Sequence, residues 1–179
     1  MNKILCAVIL GTLFTLTMPA LARAQGAAPE MFGVREVVVE YAHFDDAKAA
    51  EACGLSREQV ATALAYVLKD SGVPAIEAID ARPASLGVAR IELIPEISTY
   101  ANESLDCVTF VSLSAENRVG AVIPPVSTLR SATIVYWRQH ARVASGQSVH
   151  QQNVSDTLQK MAAQFAQQYK LDQPPALSK

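Results

Sequence analysis

The chain lacks an excess of positive charge: 15 Lys and Arg stand against 17 Asp and Glu, a formal net charge of −2. Nucleic acids and anionic membranes are held by clustered Lys and Arg, so neither is an expected partner. Reactive signatures are missing as well. There is no Gly-x-Ser-x-Gly elbow, no Ser-x-x-Lys pair and no Cys-x-x-Cys motif. The eight glycines are scattered, and none opens a helix in the Gly-x-x-x-x-Gly-Lys form that cradles a phosphate. Internal repeats are absent too, which excludes a solenoid.

What is present begins with an export signal. Met1-Asn2-Lys3 is positively charged, residues 4–18 carry no charge, and Pro19 stops the apolar run. Ala20-x-Ala22 and Ala22-x-Ala24 then offer small residues for cleavage near Ala22 or Ala24, with the cut before Gln25 favoured. A spanning helix needs about 20 apolar residues, and this run is shorter. Cys6 lies inside the apolar run rather than at the cleavage point, which argues against a lipid anchor. The expected product is periplasmic or secreted, with no stable membrane anchor.

Cleavage would remove Lys3, Arg23 and Cys6. That leaves 13 basic residues against 17 acidic ones, net −4, and two cysteines, Cys53 and Cys107. In an oxidising compartment two cysteines have one intramolecular pairing available, the alternative being two buried free thiols. Residues 25–33 read as a flexible leader, 34–172 as one α+β domain and 173–179 as a disordered tail.

Within the domain, residues 34–44 read as a strand, with Val37, Val39 and Tyr41 on one face. Ser56 and Gln59 form a capping box ahead of a helix whose Val60, Leu64, Val67 and Leu68 recur at helical spacing, stopped at Gly72. Strands follow at 75–80, 89–97, 107–113 and 132–144, with the Arg82-Pro83 turn after the first. Pro95 suggests an edge position for the 89–97 strand, and the 107–113 strand reads as buried on both faces. Residues 114–131, with Pro124-Pro125, read as irregular. Val154, Leu158, Met161, Phe165 and Tyr169 stripe a terminal helix starting at Ser148 or Asn153. The order β-α-β-β-β-β-α predicts an antiparallel sheet of four to five strands with two amphipathic helices on one face.

Candidate chemistry is thin. His43-Phe44-Asp45-Asp46 contains ligand types, yet a zinc site wants three or four ligands in defined spacing. His140, among Arg138, Gln139 and Arg142, and His150, ahead of the terminal helix, read as surface residues. Ser148 near His150 is proximity in sequence, not a triad, and Glu40, Asp45 and Asp46 have no assigned partners. Tyr136 and Trp137 read as packed core, and Arg130, Arg138 and Arg142 do not form a stripe. Gln159, Gln164, Gln167 and Gln168 read as a solvated helix face. No catalytic residue, metal site or cofactor is expected.

The pattern Ala52-Cys53-Gly54-Leu55 before a helix, Cys107 opening a strand, the Trp137 strand, and Phe165-Ala166 in a helix ending near Pro174 resembles a group of small uncharacterised secreted proteins of Gram-negative bacteria. The resemblance covers most of the mature chain. It implies a periplasmic location and a paired Cys53–Cys107, and it implies no activity.

Three functions compete. The first is a non-catalytic binding or assembly module that meets another envelope protein at a sheet edge, the Pro95 strand being the expected edge. The second is a carrier or sensor of a small apolar ligand lined by Tyr136, Trp137, Met161 and Phe165. The third is a hydrolase whose site is assembled from distant residues. Intact mass of protein recovered from a periplasmic fraction is expected to correspond to a chain beginning at Gln25; a chain that retains residues 1–24 overturns the export reading.

Overall fold

The computed structural model of the chain describes residues 31–81, 89–101, 106–122 and 129–173. The expected signal peptide, leader residues 25–30, the Arg82-Pro83 turn, Pro124-Pro125 and residues 174–179 of the expected tail lie outside the described residues. In chain order the elements are β1 (Glu36–Val39), β2 (His43–Phe44), α1 (Ala47–Ala52), α2 (Arg57–Asp70), β3 (Ala75–Glu77), a 3-10 turn (Ala78–Asp80), β4 (Arg90–Ala101), β5 (Asp106–Val122), β6 (Leu129–Gly146) and α3 (Gln147–Asp172).

The fold is α+β, but the sheet has six strands and is mixed, in the order β3-β1-β4-β5-β6, with β2 also on β4. The expectation of a wholly antiparallel sheet fails on the first half of the chain. There β1 runs parallel to β3 and to β4, and β2 runs parallel to β4. The link from β1 to β3 contains α1 and α2, and a helical crossover returns the chain in the same direction. Long antiparallel ladders join β4 to β5 and β5 to β6.

The strand expected at 34–44 is two strands, and Pro95 marks the reason. Glu40 N donates to Leu93 O at 2.9 Å and Asp45 N to Ile97 O at 3.2 Å, so the odd residues of β4 turn their polar backbone toward β1 and β2. Pro95 has no N–H to offer on that side. Pairing with β1 ends at Val39↔Leu93, and pairing with β2 starts at His43↔Glu96. Pro95 therefore lies in an interior strand and pairs with Leu113 of β5, which overturns its assignment to an edge.

Two further expectations change. Residues 114–131 are not irregular where described, because β5 continues to Val122 and β6 begins at Leu129. Beyond Glu116 this ribbon pairs with itself and not with β4. Nor is β5 buried on both sides: Cys107, Thr109, Val111, Leu113 and Ala115 face the helices, while Phe110, between them, is half exposed.

The core fills the gap between that face of the sheet and the helices α2 and α3. Val37, Val39, Ile91, Leu93 and Leu113 from the strands meet Leu64, Leu68, Leu158, Met161 and Phe165 from the helices. Each helix has a local cause. Ser56 accepts from Gln59 N to cap α2, and Asp46 accepts from Ala49 N to cap α1, a helix too short for periodicity to reveal. At the end of α2, Gly72 takes φ +75°, so that Gly72 N reaches Lys69 O and Val73 N reaches Leu68 O. That is the paired closure that an αL residue permits. At the other end of the core, Met31 is fully buried, its N–H donates to Asp172 Oδ2 and its carbonyl accepts from Gln173 Nε2. Tyr169 OH donates to Val34 O, so the start of the domain is fastened to the end of α3.

Cys53, at the C-terminal cap of α1, and Cys107, on β5, form a disulfide across 54 residues with a Cα separation of 6.1 Å. Both are buried, so the bond ties the α1–α2 corner to the sheet from inside. Closing a loop of that length is worth about 4 kcal/mol on the chain-entropy estimate. The double variant Cys53→Ala/Cys107→Ala is expected to lose about 2–4 kcal/mol in urea melts, and the wild type to lose a similar amount on reduction; a loss below about 0.5 kcal/mol overturns this role.

Candidate functional site

The helices cover one face of the sheet and leave the other open, and that open face carries most of the polar residues singled out above. In the register of the strands, His43 on β2 lies opposite Glu96 on β4, Glu96 opposite Ser112 on β5, and Ser112 opposite His140 on β6. These four residues form one row across four strands. A concavity of about 300 Å³ lies over the row, lined also by Asp45, Ser98 and Phe110. Phe110 stands edge-on to Tyr100 at 6.3 Å, and the Arg142 guanidinium lies 5.9 Å from the Phe110 ring centroid.

A second, more acidic concavity of about 550 Å³ shares His43 and Glu96 with the first and adds Glu40, Glu92, Glu116 and Arg118. Burial raises the pKa of Glu40 above the usual carboxylate value, and the neighbouring Glu92 carboxylate adds to the effect while Arg118 opposes it. Glu116 is held by Arg138 at 2.7 Å.

This arrangement brings His43 and Asp45 together with His140, which is distant from both in sequence. It leaves out Asp46, whose carboxylate caps α1. The row holds no activated serine. Ser112 Oγ is buried without a hydrogen-bond partner, so neither His140 nor Glu96 activates it. Among the described residues no group of three or more His, Cys, Asp or Glu is placed to hold a metal ion.

His150 does not lie at the surface as expected. It is completely buried in the first turns of α3. Its Nε2 lies 2.7 Å from Thr109 Oγ1 and its Nδ1 2.8 Å from Ser145 Oγ, and Thr109 Oγ1 is 3.0 Å from Thr99 Oγ1. A neutral ring needs one donor and one acceptor, and two hydroxyls supply either. Ser148 is exposed and takes no part. The group joins α3 to β4, β5 and β6 beside the disulfide strand, and desolvation lowers the His150 pKa below its ordinary 6.5.

Of the residues expected to line an apolar pocket, Met161 and Phe165 lie in the core, and Tyr136 and Trp137 are half-buried against it. Phe165 is fully buried, with Trp137 5.4 Å away and Tyr169 6.3 Å away, and Met161 is buried beside them. Between α2 and α3, Leu55, Val60, Val154 and Leu158 border a space of about 40 Å³, enough for a water or two. On the glutamine-rich face of α3, Gln168 donates to Asp172 and Gln159 to Ser155, while Gln164 and Gln167 are exposed.

The other open element is the rim of the sheet. β6 spans 18 residues at the end of the strand order and, among the described residues, pairs with β5 alone, whereas the opposite edge, β3, has three residues. Ile134 and Val135 on β6 are more than two-fifths exposed. Sequence reasoning missed Glu96, Ser112, Phe110 and Tyr100 as site residues. The register that aligns them with β2 and β6 is long-range.

No family model matches the chain, and no curated protein matches it. Among solved structures, a PelC dodecamer from Paraburkholderia phytofirmans aligns at 10% identity over 76% of this chain and 91% of that one, with a TM-score of 0.44. An uncharacterized protein aligns at 11% identity over 79% and 95%, with a TM-score of 0.39. A neuraminyllactose-binding hemagglutinin homolog from Helicobacter pylori aligns at 13% identity over 86% and 90%, with a TM-score of 0.28. Each score lies below 0.5, so none of the three carries an argument about this chain. No helix among the described residues is long and apolar enough to cross a membrane.

The buried imidazole has a consequence for stability. Unfolded chain binds a proton at His150 below pH 6.5, whereas the folded site resists it, so the unfolded state gains protons first. Stability from this site is complete above pH 6.5 and falls as the pH drops from there toward the lower folded value. Thermal melts between about pH 7.5 and 5.5 are expected to show the wild type losing stability with acid. His150→Gln, less stable at neutral pH, is expected to lose less over the same range; equal slopes overturn the assignment.

Proposed function

We propose that the chain is a non-catalytic binding or assembly module of the bacterial envelope that docks an extended segment of a partner along β6. The observation that carries this reading is the length and openness of that edge. Natural sheets guard their edges with short strands, prolines, charged side chains, bulges or cover, because a row of unpaired N–H and C=O groups templates another strand. β3 is guarded by its brevity, while β6 offers 18 residues with no proline and leaves Ile134 and Val135 exposed.

Charge selects the partner. β6 carries Arg130, Arg138, His140 and Arg142 and no carboxylate. A strand with Lys or Arg opposite these positions is disfavoured, and one with Asp, Glu or neutral residues is accepted. Main-chain bonds then supply affinity, and the exposed apolar pair supplies side-chain contact. Export fits this role, since an envelope partner is met only outside the cytoplasm.

The test uses the mature protein and its own envelope extract. The wild type is expected to retain a stoichiometric partner, and hydrogen exchange of its 134–142 amides to slow on binding by about tenfold or more. Ile134→Lys/Val135→Lys is expected to keep its melting temperature within a few degrees and lose both effects. If β6 amides exchange at the same rate with and without extract, the edge-docking function is wrong.

A further inference from the structure

Apart from the edge, the two open-face concavities adjoin as a trough, with His43 and Glu96 lining both. We propose that this trough binds a neutral, polyhydroxylated chain, that is, a segment of an oligosaccharide.

The carboxylates disfavour an anionic ligand, and Arg57, Arg118 and Arg142 oppose an extended cation. An anion entering over the His43–Glu96–Ser112–His140 row meets the Asp45 and Glu96 carboxylates there, and Glu40 and Glu92 farther along. A cation meets Arg142 over Phe110 at one end and Arg57 and Arg118 at the other. A neutral ligand rich in hydroxyls gains from both kinds of group, since carboxylates only accept, guanidinium only donates, and serine and neutral imidazole do both.

Shape points the same way. The concavity over the row has the volume of a small-molecule pocket, and the shared residues extend it into a path suited to a chain rather than a single ring. Phe110 walls one part and the partly exposed Tyr41 the other. A pyranose presents C–H bonds on its faces and hydroxyls at its rim, which matches an aromatic wall beside a row of polar groups.

Amide NMR on the mature protein tests this with cellohexaose and N-acetylglucosamine hexamer as neutral probes, oligogalacturonate as the anionic probe and hexalysine as the cationic one. At least one neutral probe is expected to shift the 43, 96, 110, 112 and 140 amides with a Kd in the mM range or tighter. Phe110→Ala and Glu96→Gln are each expected to weaken that binding about tenfold, while Gln167→Ala on the far helix face leaves it unchanged. Circular dichroism verifies that each variant is folded. No shift with either neutral probe at about 10 mM, shifts confined to other residues, or equal or tighter binding of the anionic or cationic probe each overturns the proposal. The edge variant Ile134→Lys/Val135→Lys is expected to bind the sugar normally, so the two functional readings fail independently.

Discussion

From Cys107 to Ala115 every second residue of β5 faces the helices, and the rest of the domain is organised around those side chains. Cys107 is bonded to the α1–α2 corner, Thr109 to His150 of α3, and Val111, Leu113 and Ala115 pack beneath both helices. One strand thus carries, in order, a covalent tie, a polar tie and apolar contact. Displacing β5 by one residue would turn all of them to solvent and bring Phe110, Ser112 and Ser114 inward, because side chains alternate with a strict period of two. The native register is therefore specified several times over.

Polarity is tolerated inside this arrangement only where it is paired. His150 is as buried as Phe165, yet both of its nitrogens meet hydroxyls. The group gives α3 a position that a purely apolar contact would leave free to slide, at the cost of sensitivity to acid. Cys53 and Cys107 act nearby without any redox signature, since both are buried.

The open face and the β6 edge are the two places where the fold leaves work undone. Polar residues stand in register across the face, and a long strand ends the sheet with its outer backbone groups unpaired among the described residues. The two features meet on β6, whose outer backbone groups form the rim while its His140 side chain lines the face.

The amino-acid sequence by itself determined the local events: the Ser56 cap and Gly72 stop of α2, the Val154–Tyr169 stripe of α3, the apolar alternation of β4 and the two cysteines left for pairing. Each depends on residues within a turn or two of one another, apart from the cysteines, which only a count reveals. Only the tertiary structure decided which strands lie side by side. Val34 to Phe44 looks continuous until β4 places Pro95 beside its middle, and β5 looks buried on both faces until the helices cover just one. His150 looks like a surface residue until three strands surround it. The candidate site was hidden for the same reason: His43, Glu96, Ser112 and His140 lie far apart along the chain, and hydrogen-bonded register, which no local pattern encodes, sets them in one row.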